Sequence, residues 1–592
     1  MSATEMDDLR EDDSADRTSR RSVFAGLLGI AGLAGLAGCR DLELVAGTGD
    51  ELRYAAGSGD VLDSVAALRP VSPTSANRSV IVLGMYQRGD GGGGVFLYDA
   101  SSSAVDNGTT VVRPDSVLSG SPGRFVRLIA GRTVSPRLFG AGATDDTAAV
   151  NAALAYLVGM DGGGTLLIDG TFRVTQPIVI PHHSSRPIRI VGLGRSNSVL
   201  VGDGIASGSP LLSVGAPTGP YGTFIEFRIE GLTLTRNTNG PTFEHYYAAA
   251  VSGDAATRRL ENAIFRDLNL VTTSQAGGNT FPNLRLQFPG NSTFEDINLI
   301  GGQTAMQVLW GTRSTFRNVR TTLDSTCTYG VHFVGGGTMK LENVRIEATS
   351  GGFGVKLEGC TGMIVDSLSF EGKRTNPQIW IADGHDICIR GASTASRTQL
   401  ASNTEYRAGV RIDGSSSLIT FQNGVLFPKE NDLHTSSVAI DVGPNCREVR
   451  FEDVGIARFD GDDSLVHTEI SVHPSALDVE LELRFVNFPV AGVRVAQSRY
   501  RVRSAVPTIA SAPTISVRNA DTFMVTGTSP ITSLVHAHPG QKTTLVFLTI
   551  GATVTPSATI KLASTFVANA VGATLDLVSD GTTHFEVSRR TS

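Results

Sequence analysis

The sequence has few cysteines and no paired cysteine motif. Its 592 residues include five cysteines, none of which forms a C-x-x-C pair or a cysteine–histidine metal spacing. This pattern argues against zinc-binding and disulfide-framework proteins. A run of aspartates typical of calcium loops is also missing, so we expect neither a metal nor another cofactor.

The chain also lacks an excess of positive charge. Its net charge is −7 and its pI is about 5.9, which argues against a nucleic-acid partner. Aromatic residues make up only 6%, whereas glycine occurs 67 times. This composition suits a protein with many tight turns and short strands. At this length we expect either several domains or one elongated repeat body.

Only one long apolar segment occurs, and it follows paired arginines near the N-terminus. Residues 19–24 read SRRSVF, an uncharged run continues to Ala37, and residues 36–39 read LAGC. The segment resembles a twin-arginine export signal with a lipobox, although Val23 replaces the usual phenylalanine. The resemblance implies that residues 1–39 direct export and that Cys39 is lipidated. The protein would then be anchored to the bacterial cell envelope, in the periplasm or at the cell surface.

Two flanking modules and a tether are predicted around the main body. Residues 40–60 have the composition of a flexible tether, and residues 61–131 read as a small β-rich module. Within that module, a run of four glycines at 91–94 is followed by a strand and no Lys-Ser/Thr, so a hairpin turn is favoured over a phosphate loop. Residues 504–592 alternate apolar and polar residues, which predicts an antiparallel β-domain.

A compound motif opens the central region. Residues 139–141 read FGA, 145–147 read DDT, 162–164 read GGG and 170–172 read GTF. Thr144 is the expected N-cap of the intervening helix, with the two aspartates in its first turn. The motif resembles the start of the pectate lyase superfamily, also called rhamnogalacturonase/epimerase-like. That resemblance implies an all-β fold, a right-handed single-stranded parallel β-helix over 134–503, capped by the short helix. The two flanking modules resemble parts of phage tailspikes, which implies a possible homotrimer.

Internal repeats support the same fold independently. One unit reads apolar, any residue, Asn, Asp or a small residue, apolar, any residue, apolar. It begins at residues 265, 294, 316, 341 and 365. A second unit ends in glycine and spaces its glycines by about 24 to 30 residues. Fixed-period repeats with two-residue alternation indicate a β-solenoid. The Asn/Asp column suits turn residues in the left-handed region.

The glycine-ending strand carries the candidate site. Alternation directs Val355 and Leu357 inward and the polar residues between them outward. In proteins of this resemblance the substrate groove follows that strand. The candidate catalytic residues are His332, Lys356, Glu358 and Asp413, and the candidate substrate-binding residues are Trp380, Asp383 and Arg411. Cations suit the carboxylates of an acidic sugar, an indole stacks on sugar rings, and an acid or base acts on the glycosidic bond.

A rival carboxylate pair lies on the other strand. Glu347 and Glu371 are one repeat apart and should stack on neighbouring coils, where paired carboxylates suit retaining hydrolysis. Arg320 and Arg345 flank them, which favours an ion ladder instead. Three functions remain open: a lyase or hydrolase of an acidic polysaccharide, a non-catalytic glycan-binding protein, and a tailspike-derived adhesion device.

Overall fold

The structure is a computed structural model. It describes residues 60–592 and the strands Leu42–Leu44 and Tyr54–Ala56, with gaps at 74–78, 130, 143, 182–186, 216–223, 247–259, 274–279, 324–326, 349–352, 373–376, 395–407, 427–435, 458–466, 474, 487–491, 496–498, 503–507, 518–521, 536 and 538. The predicted signal and Cys39 lie outside these residues. Within them, no helix has both the length and the apolar character needed to cross a membrane. The chain divides into two units, Met1–Leu167 and Ile168–Ser592.

The first unit contains a small β-sheet module built around phenylalanine. Its strands are Asp60–Leu62, Ser79–Val82, Gly94–Asp99, Arg124–Arg127 and Val111–Val112, in that order across one sheet, with a 3-10 turn at Val65–Leu68. Phe96 and Phe125 are fully buried in its core. Burying an aromatic side chain contributes roughly 2–3 kcal/mol, so these residues hold a small sheet together.

The glycine run of this module lies in the connection between two antiparallel strands, as a hairpin requires. The carboxylate of Asp90 accepts backbone N–H groups from Met85, Tyr86, Gln87 and Gly92. Burial by itself raises the pKa of Asp90, but these four bonds lower it to about 2. The carboxylate therefore occupies the N–H cluster that a bound phosphate would need.

The single α-helix of the described residues spans Thr147–Gly159, preceded by a 3-10 turn at Pro136–Phe139. The expectation that Thr144 caps it is wrong, because the helix begins three residues later. Both aspartates precede the first turn: Asp145 accepts the N–H of Thr147 and Asp146 accepts that of Gly142. The two carboxylates therefore order the entry to the helix, and the strands Thr133–Val134 and Gly164–Ile168 flank it.

The second unit is a parallel β-helix, as the repeats predict. A twelve-stranded sheet contains Ile178–Ile180, Leu212–Val214, Phe243–His245, Pro282–Gln287, Thr304–Leu309, Tyr329–Val334, Phe353–Glu358, Ile379–Ala382, Ala408–Asp413, Ser436–Val442, His467–Val472 and Gly492–Val495. A second long sheet contains Thr171–Val174, Ile188–Gly192, Val199–Gly202, Arg228–Arg236, Ile264–Thr272, Thr293–Ile300, Thr315–Leu323, Lys340–Ala348, Thr361–Gly372, His385–Arg390, Ser393–Thr394, Ser417–Gln422, Val425–Leu426, Arg447–Ala457, Leu477–Val486 and Arg499–Val502. A short third sheet pairs Phe224–Ile225, Leu260–Glu261 and Pro289–Gly290.

The repeat starts recognised in the sequence are register partners in the second sheet. Phe265 pairs with Phe294, which pairs with Phe316, and the ladder continues through Leu341 and Val365. The stacked rings of Phe294 and Phe316 are 4.5 Å apart, and both side chains are fully buried. Identical apolar positions in every coil thus build one continuous core along the solenoid.

The predicted Asn/Asp turn column is confirmed. Its members have φ angles between 51° and 57°: Asp267, Asp296, Asn318, Asn343, Ser367, Asn423 and Asp453. Short polar side chains tolerate this left-handed region and bond to their neighbours. The Nδ2 of Asn343 donates to Oδ1 of Asn318, and the Nδ2 of Asn318 donates to Oδ1 of Asp296. The column therefore bends each coil and links it to the next.

The C-terminal region forms a separate mixed sheet rather than the antiparallel one expected. Its strands, in sheet order, are Thr508–Ala510, Thr522–Thr526, Pro539–Phe547, Ala573–Asp580, His584–Arg590 and Ile560–Lys561. The first three pair in parallel and only the next two pairings are antiparallel. Small pairs at Thr514–Ser516 with Ser533–Val535, and Thr553–Val554 with Phe566–Val567, complete it. Alternation within strands does not reveal strand direction, so the sequence left this undecided.

Candidate active site on the twelve-stranded sheet

The four outward residues predicted to stack do form one ladder. His332 pairs with Lys356, Lys356 with Trp380, and Trp380 with Arg411, and Asp441 follows on the next coil. Neighbouring strands lie about 4.8 Å apart, so side chains on adjacent coils touch. The ladder arises because each coil contributes the same central strand position.

The side chains between them point into the core, as alternation predicts. Val355 and Leu357 are fully buried. Lys356, which faces outward, is also largely covered because flanking aromatic rings enclose its stem. Its ammonium lies 4.2 Å from the ring centroid of Trp380 and 5.7 Å from that of Tyr329. This lysine is therefore a fixed charge and not a mobile surface group.

Glu358 joins two other members of the candidate site. Its Oε2 lies 2.8 Å from Nζ of Lys356 and accepts a hydrogen bond of 3.0 Å from Nε2 of His332. The bond from Lys356, aided by that from His332, lowers the pKa of the Glu358 carboxyl. With its side chain 42% exposed, Glu358 is an ionised and accessible carboxylate at neutral pH.

His332 is held as a neutral imidazole. Burial lowers its pKa below the usual 6.5, the nearby Lys356 acts in the same direction, and the bond to Glu358 only partly opposes them. Because Nε2 donates to Glu358, the proton sits on Nε2 and Nδ1 carries the lone pair. No described residue hydrogen-bonds to Nδ1. This is the arrangement of a general base oriented by a carboxylate.

Tyr329 is a member of this cluster that the sequence reasoning missed. Its ring centroid lies 4.7 Å from that of His332, and its other neighbour is Phe353 at 5.0 Å. Both aromatic residues begin the strands that carry His332 and Lys356. Their shared position three residues before the ladder was the available signal. A phenol next to an imidazole provides a proton donor beside a base.

Trp380 and Arg411 lie on the next two coils and share Asp413. The indole Nε1 donates to Oδ1 of Asp413 at 3.0 Å, and Nε of Arg411 contacts Oδ2 at 2.9 Å. The ring of Trp380 contacts Lys356 and Arg411, whose guanidinium carbon is 5.4 Å from its centroid, and Phe353 at 5.0 Å. Two cations and Phe353 therefore cover the ring of Trp380, which leaves little of its surface free for the expected stacking on a sugar.

Arg411 retains capacity to bind an anion. Only its Nε contacts carboxylates of described residues: Asp413, and Asp441 at 4.0 Å. The side chain is 40% exposed. The two terminal nitrogens, which form the fork that recognises carboxylates bidentately, are left without a partner among the described residues.

The two predicted catalytic carboxylates are two coils apart. Glu358 pairs with Ala382, and Ala382 pairs with Asp413. At about 4.8 Å per coil, their backbones are roughly 10 Å apart. Their register brings both acidic side chains to the same face of the sheet, where a pair of carboxylates can act on one glycosidic bond. Between them lies Ala382, a buried residue with a short side chain.

Asp383 has a position that favours a turn function. It takes the left-handed corner position, with φ of 51°, that Gly359 and Gly414 hold on the neighbouring coils. Its Oδ1 accepts the backbone N–H of Ser415 at 2.8 Å. That bond ties its coil to the next one, so a substrate-binding role finds no support in its contacts.

The rival pair, Glu347 and Glu371, stacks on adjacent coils as expected. Arg345 contacts Glu347 at 2.7 Å and Glu371 at 2.6 Å, while Arg320 contacts Glu347 at 2.8 Å. Each carboxylate thus faces an arginine, and the arrangement is an ion ladder on the second sheet. This geometry favours a structural function for the pair.

A second polar cluster, also missed in the sequence, lies on earlier coils of the same sheet. Glu244 is 2% exposed, pairs with Arg285 in register, and accepts a 3.0 Å hydrogen bond from it. Burial raises the pKa of Glu244, although Arg285, Tyr246 and Gln287 oppose the shift. The ladder from Arg285 continues through residue 307 to His332, so the cluster belongs to the same outward face.

Other chemistry has less support in this part of the chain. Among the residues that the structure describes, no group of three histidine, cysteine or acidic side chains could hold a metal ion. The described cysteines are free thiols. Burial raises the pKa of Cys360 to about 12 and that of Cys446 to about 11, so neither thiol is poised as a nucleophile.

Comparison with known proteins relates the first module to phage tails. The family of phage tail protein small four-stranded beta-sheet domains matches residues 61–130. The match covers a small part of the chain and agrees with the sheet described above. The comparison with curated proteins found no match to this sequence.

Comparison with solved structures supports the fold. The gp42 tailspike of Acinetobacter phage vb_AbaP_AS12 matches with a TM-score of 0.50 and 11% identity, covering 90% of this chain and 94% of the tailspike. At this identity the similarity shows the fold alone, a tailspike-like parallel β-helix.

Two further matches have lower TM-scores. Tailspike protein 2 from Escherichia coli O157:H7 bacteriophage CAB120 matches with a TM-score of 0.43 and 17% identity, over 67% of this chain and 51% of the tailspike. The A-module of the Azotobacter vinelandii mannuronan C-5 epimerase AlgE6 matches with 0.44 and 14%, over 63% of this chain and 99% of the module. The chain thus spans about half the length of that bacteriophage tailspike.

Proposed function

We propose that this protein is a polysaccharide lyase that cleaves a uronate-containing chain on its twelve-stranded sheet. The observation that carries the proposal is the row Tyr329–His332–Glu358, in which a neutral imidazole is oriented by a carboxylate and flanked by a phenol. A base and a proton donor are what β-elimination requires.

The substrate carboxylate is proposed to bind near Lys356, one coil from His332, while the free fork of Arg411, two coils further along the ladder, binds the carboxylate of a neighbouring uronate. Neutralising the carboxylate near Lys356 acidifies the proton on the adjacent ring carbon, C5. His332 Nδ1 accepts the C5 proton, the released electron pair forms the C4=C5 double bond, and the glycosidic C4–O bond breaks. Tyr329 donates its proton to the departing oxygen. Preorganised cations and donors stabilise charge only where it develops, which is the main source of rate enhancement.

Hydrolysis is the second candidate, because Glu358 and Asp413 place two carboxylates in one row of the sheet. Glycoside hydrolases use such a pair, with one carboxyl group as the acid and the other as base or nucleophile. However, that reaction also needs a protonated acid, whereas the pKa of Glu358 is lowered. Glu358 would therefore act as the base.

A non-catalytic glycan-binding or adhesive function is the third candidate. The phage tail domain at residues 61–130 supports it, as does the tailspike with a TM-score of 0.50. Such a protein would use the same sheet for binding without breaking a bond.

We further propose export by the twin-arginine signal, lipidation of Cys39 and assembly as a homotrimer. The motif at residues 19–39 supports the first two. Exposed apolar side chains in the C-terminal region, Ile550 and Val587 among them, support a contact between copies. Cys39→Ala should abolish acyl labelling and membrane fractionation, and sedimentation of the mature protein should give three times the chain mass.

The test of the catalytic proposal is a release assay on polygalacturonate, alginate, hyaluronate and neutral polysaccharides. Ultraviolet absorbance of unsaturated ends and chemical detection of reducing ends are followed in parallel. Equal appearance of both signals supports elimination, since every cut by a lyase gives one of each. Reducing ends alone would establish hydrolysis. Binding of a polysaccharide without either signal would show that the protein is not an enzyme.

A further inference from the structure

An exposed pair of aromatic rings stands at the border of the candidate site. Trp310 is 48% exposed and stacks on Phe288, with ring centroids 5.1 Å apart and planes inclined by 22°. Both residues directly follow strands of the twelve-stranded sheet, on adjacent coils. The pair was not recognised in the sequence, where only Trp380 was considered for sugar stacking.

The backbone at both positions is unusual for large side chains. Phe288 and Trp310 have φ angles of 51°, in the left-handed region that aromatic residues rarely adopt. The following coils place Gly335 and Gly359 at this corner, with φ of 65° and 60°. Strained conformations of this kind concentrate at binding sites.

The next coil leaves room for the indole of Trp310. A Cβ at Gly335 would lie 2.5 Å from Cδ1 and 2.8 Å from Nε1 of Trp310, so only glycine admits the ring there. No described residue accepts a hydrogen bond from Nε1 of Trp310, whereas Nε1 of Trp380 is bound to Asp413. Trp310 thus has both an exposed ring and an uncommitted donor.

The pair formed by Trp310 and Phe288 adjoins the proposed catalytic row, which includes Glu358. The residue before Trp310, Leu309, pairs with Val334, which pairs with Glu358. Trp310 therefore lies one residue beyond the Glu358 row and two coils, about 10 Å, toward the N-terminal end of the solenoid. A polysaccharide lying along the sheet would meet both.

We propose that Trp310 and Phe288 form a sugar-stacking subsite that binds the apolar face of a pyranose ring of the same polysaccharide, outside the cleaved linkage. The subsite rests on the proposed function and extends it, because it fixes the direction in which the chain continues from Glu358. A ring with C–H groups on one face suits an indole surface, and the indole N–H suits a hydroxyl at its edge.

The two tryptophans of the chain allow each to be observed separately. Trp380→Phe leaves Trp310 as the sole indole emitter, and Trp310→Phe leaves Trp380. Each variant is titrated with size-fractionated oligouronates from polygalacturonate or alginate. We expect long oligomers to change Trp310 emission and short ones to leave it unchanged. Trp310→Ala should weaken binding of long oligomers about tenfold, with short oligomers unaffected, and Trp310→Phe should retain most affinity.

Phe585→Ala, a comparably exposed aromatic on the C-terminal sheet, is the control and should bind as the wild type does. Circular dichroism establishes that each variant is folded. Two results together overturn the subsite while leaving the proposed function intact. They are unchanged affinity for long oligomers in Trp310→Ala and unchanged emission of Trp310 at saturation in Trp380→Phe. If the wild-type protein binds none of the oligouronates, both proposals fail together.

Discussion

Nε2 of His332 lies 3.0 Å from Oε2 of Glu358, although 26 residues separate them in the chain. Parallel stacking brings them together because His332 faces Lys356 and Glu358 is two residues further along that strand. The carboxylate sets the tautomer of the imidazole, and burial sets its charge. The predictions below follow from this pair and from its neighbours.

The pH dependence of cleavage should follow His332. Because the pKa of His332 is lowered from 6.5, the neutral imidazole predominates at pH 6.5, and activity should reach a plateau as the pH rises to neutrality. Activity should fall at lower pH, as the base becomes protonated. The bond to Glu358 raises the pKa of His332, so Glu358→Gln should move this acid limb to still lower pH. A pH–rate profile of kcat/KM for both proteins measures the shift, and a limb that moves upward would contradict the assignment.

Glu358→Gln should lower kcat by about 100-fold, because the orienting carboxylate and its charge are lost. Glu347→Gln is the matched control, since it removes an arginine-paired glutamate from the other long sheet and also tests the rival site. It should retain activity within about twofold. Initial rates on the polysaccharide identified in the release assay distinguish the two variants. The reverse result would transfer the active site to the second sheet.

Arg411→Lys should raise KM about tenfold with kcat nearly unchanged. Lysine keeps the charge but loses the two-nitrogen fork that recognises a carboxylate, and this contact is made equally in the ground and transition states. Arg345→Lys, in the ion ladder, serves as the control and should leave both constants unchanged. A fall in kcat with constant KM in Arg411→Lys would instead assign the residue to the chemical step.

Arg236→Met should destabilise the β-helix by about 3 kcal/mol. The guanidinium is 1% exposed and donates to the backbone carbonyls of Ser209, Thr238, Asn239 and Pro241, which the substitution would leave without these donors. Thermal unfolding followed by circular dichroism measures the loss. Arg173→Met removes an exposed arginine and should change the melting temperature little.

The repeats could be recognised in the sequence because the properties that produce them belong to short stretches of consecutive residues. Each coil needs apolar residues on alternate positions and a residue that tolerates positive φ, and both requirements appear in a single stretch such as 341–346. Adding the repeat length then gives the register, and the ladder from His332 to Arg411 follows. The direction of the C-terminal strands was not readable, since alternation is the same in parallel and antiparallel sheets.

Site contacts depend on what the neighbouring coils provide. Trp380 was expected to offer its ring to a sugar, but Lys356 and Arg411 contact it from adjacent coils. Tyr329 and Trp310 belong to no motif, and each becomes notable only through a neighbour. For Tyr329 that neighbour is the imidazole of His332, and for Trp310 it is Gly335, whose missing side chain makes room for the indole.

By itself the sequence determined the solenoid, its core ladder and the row of outward residues, because alternation and turn propensity are properties of consecutive residues. The tertiary structure decided which side chains are ionised, covered or free. Burial and hydrogen bonding arise between coils about 24 residues apart, and side-chain direction at the coil corners is fixed by the space that the next coil leaves. That is why His332 is a neutral base beside Glu358, and why the exposed indole is Trp310 rather than Trp380.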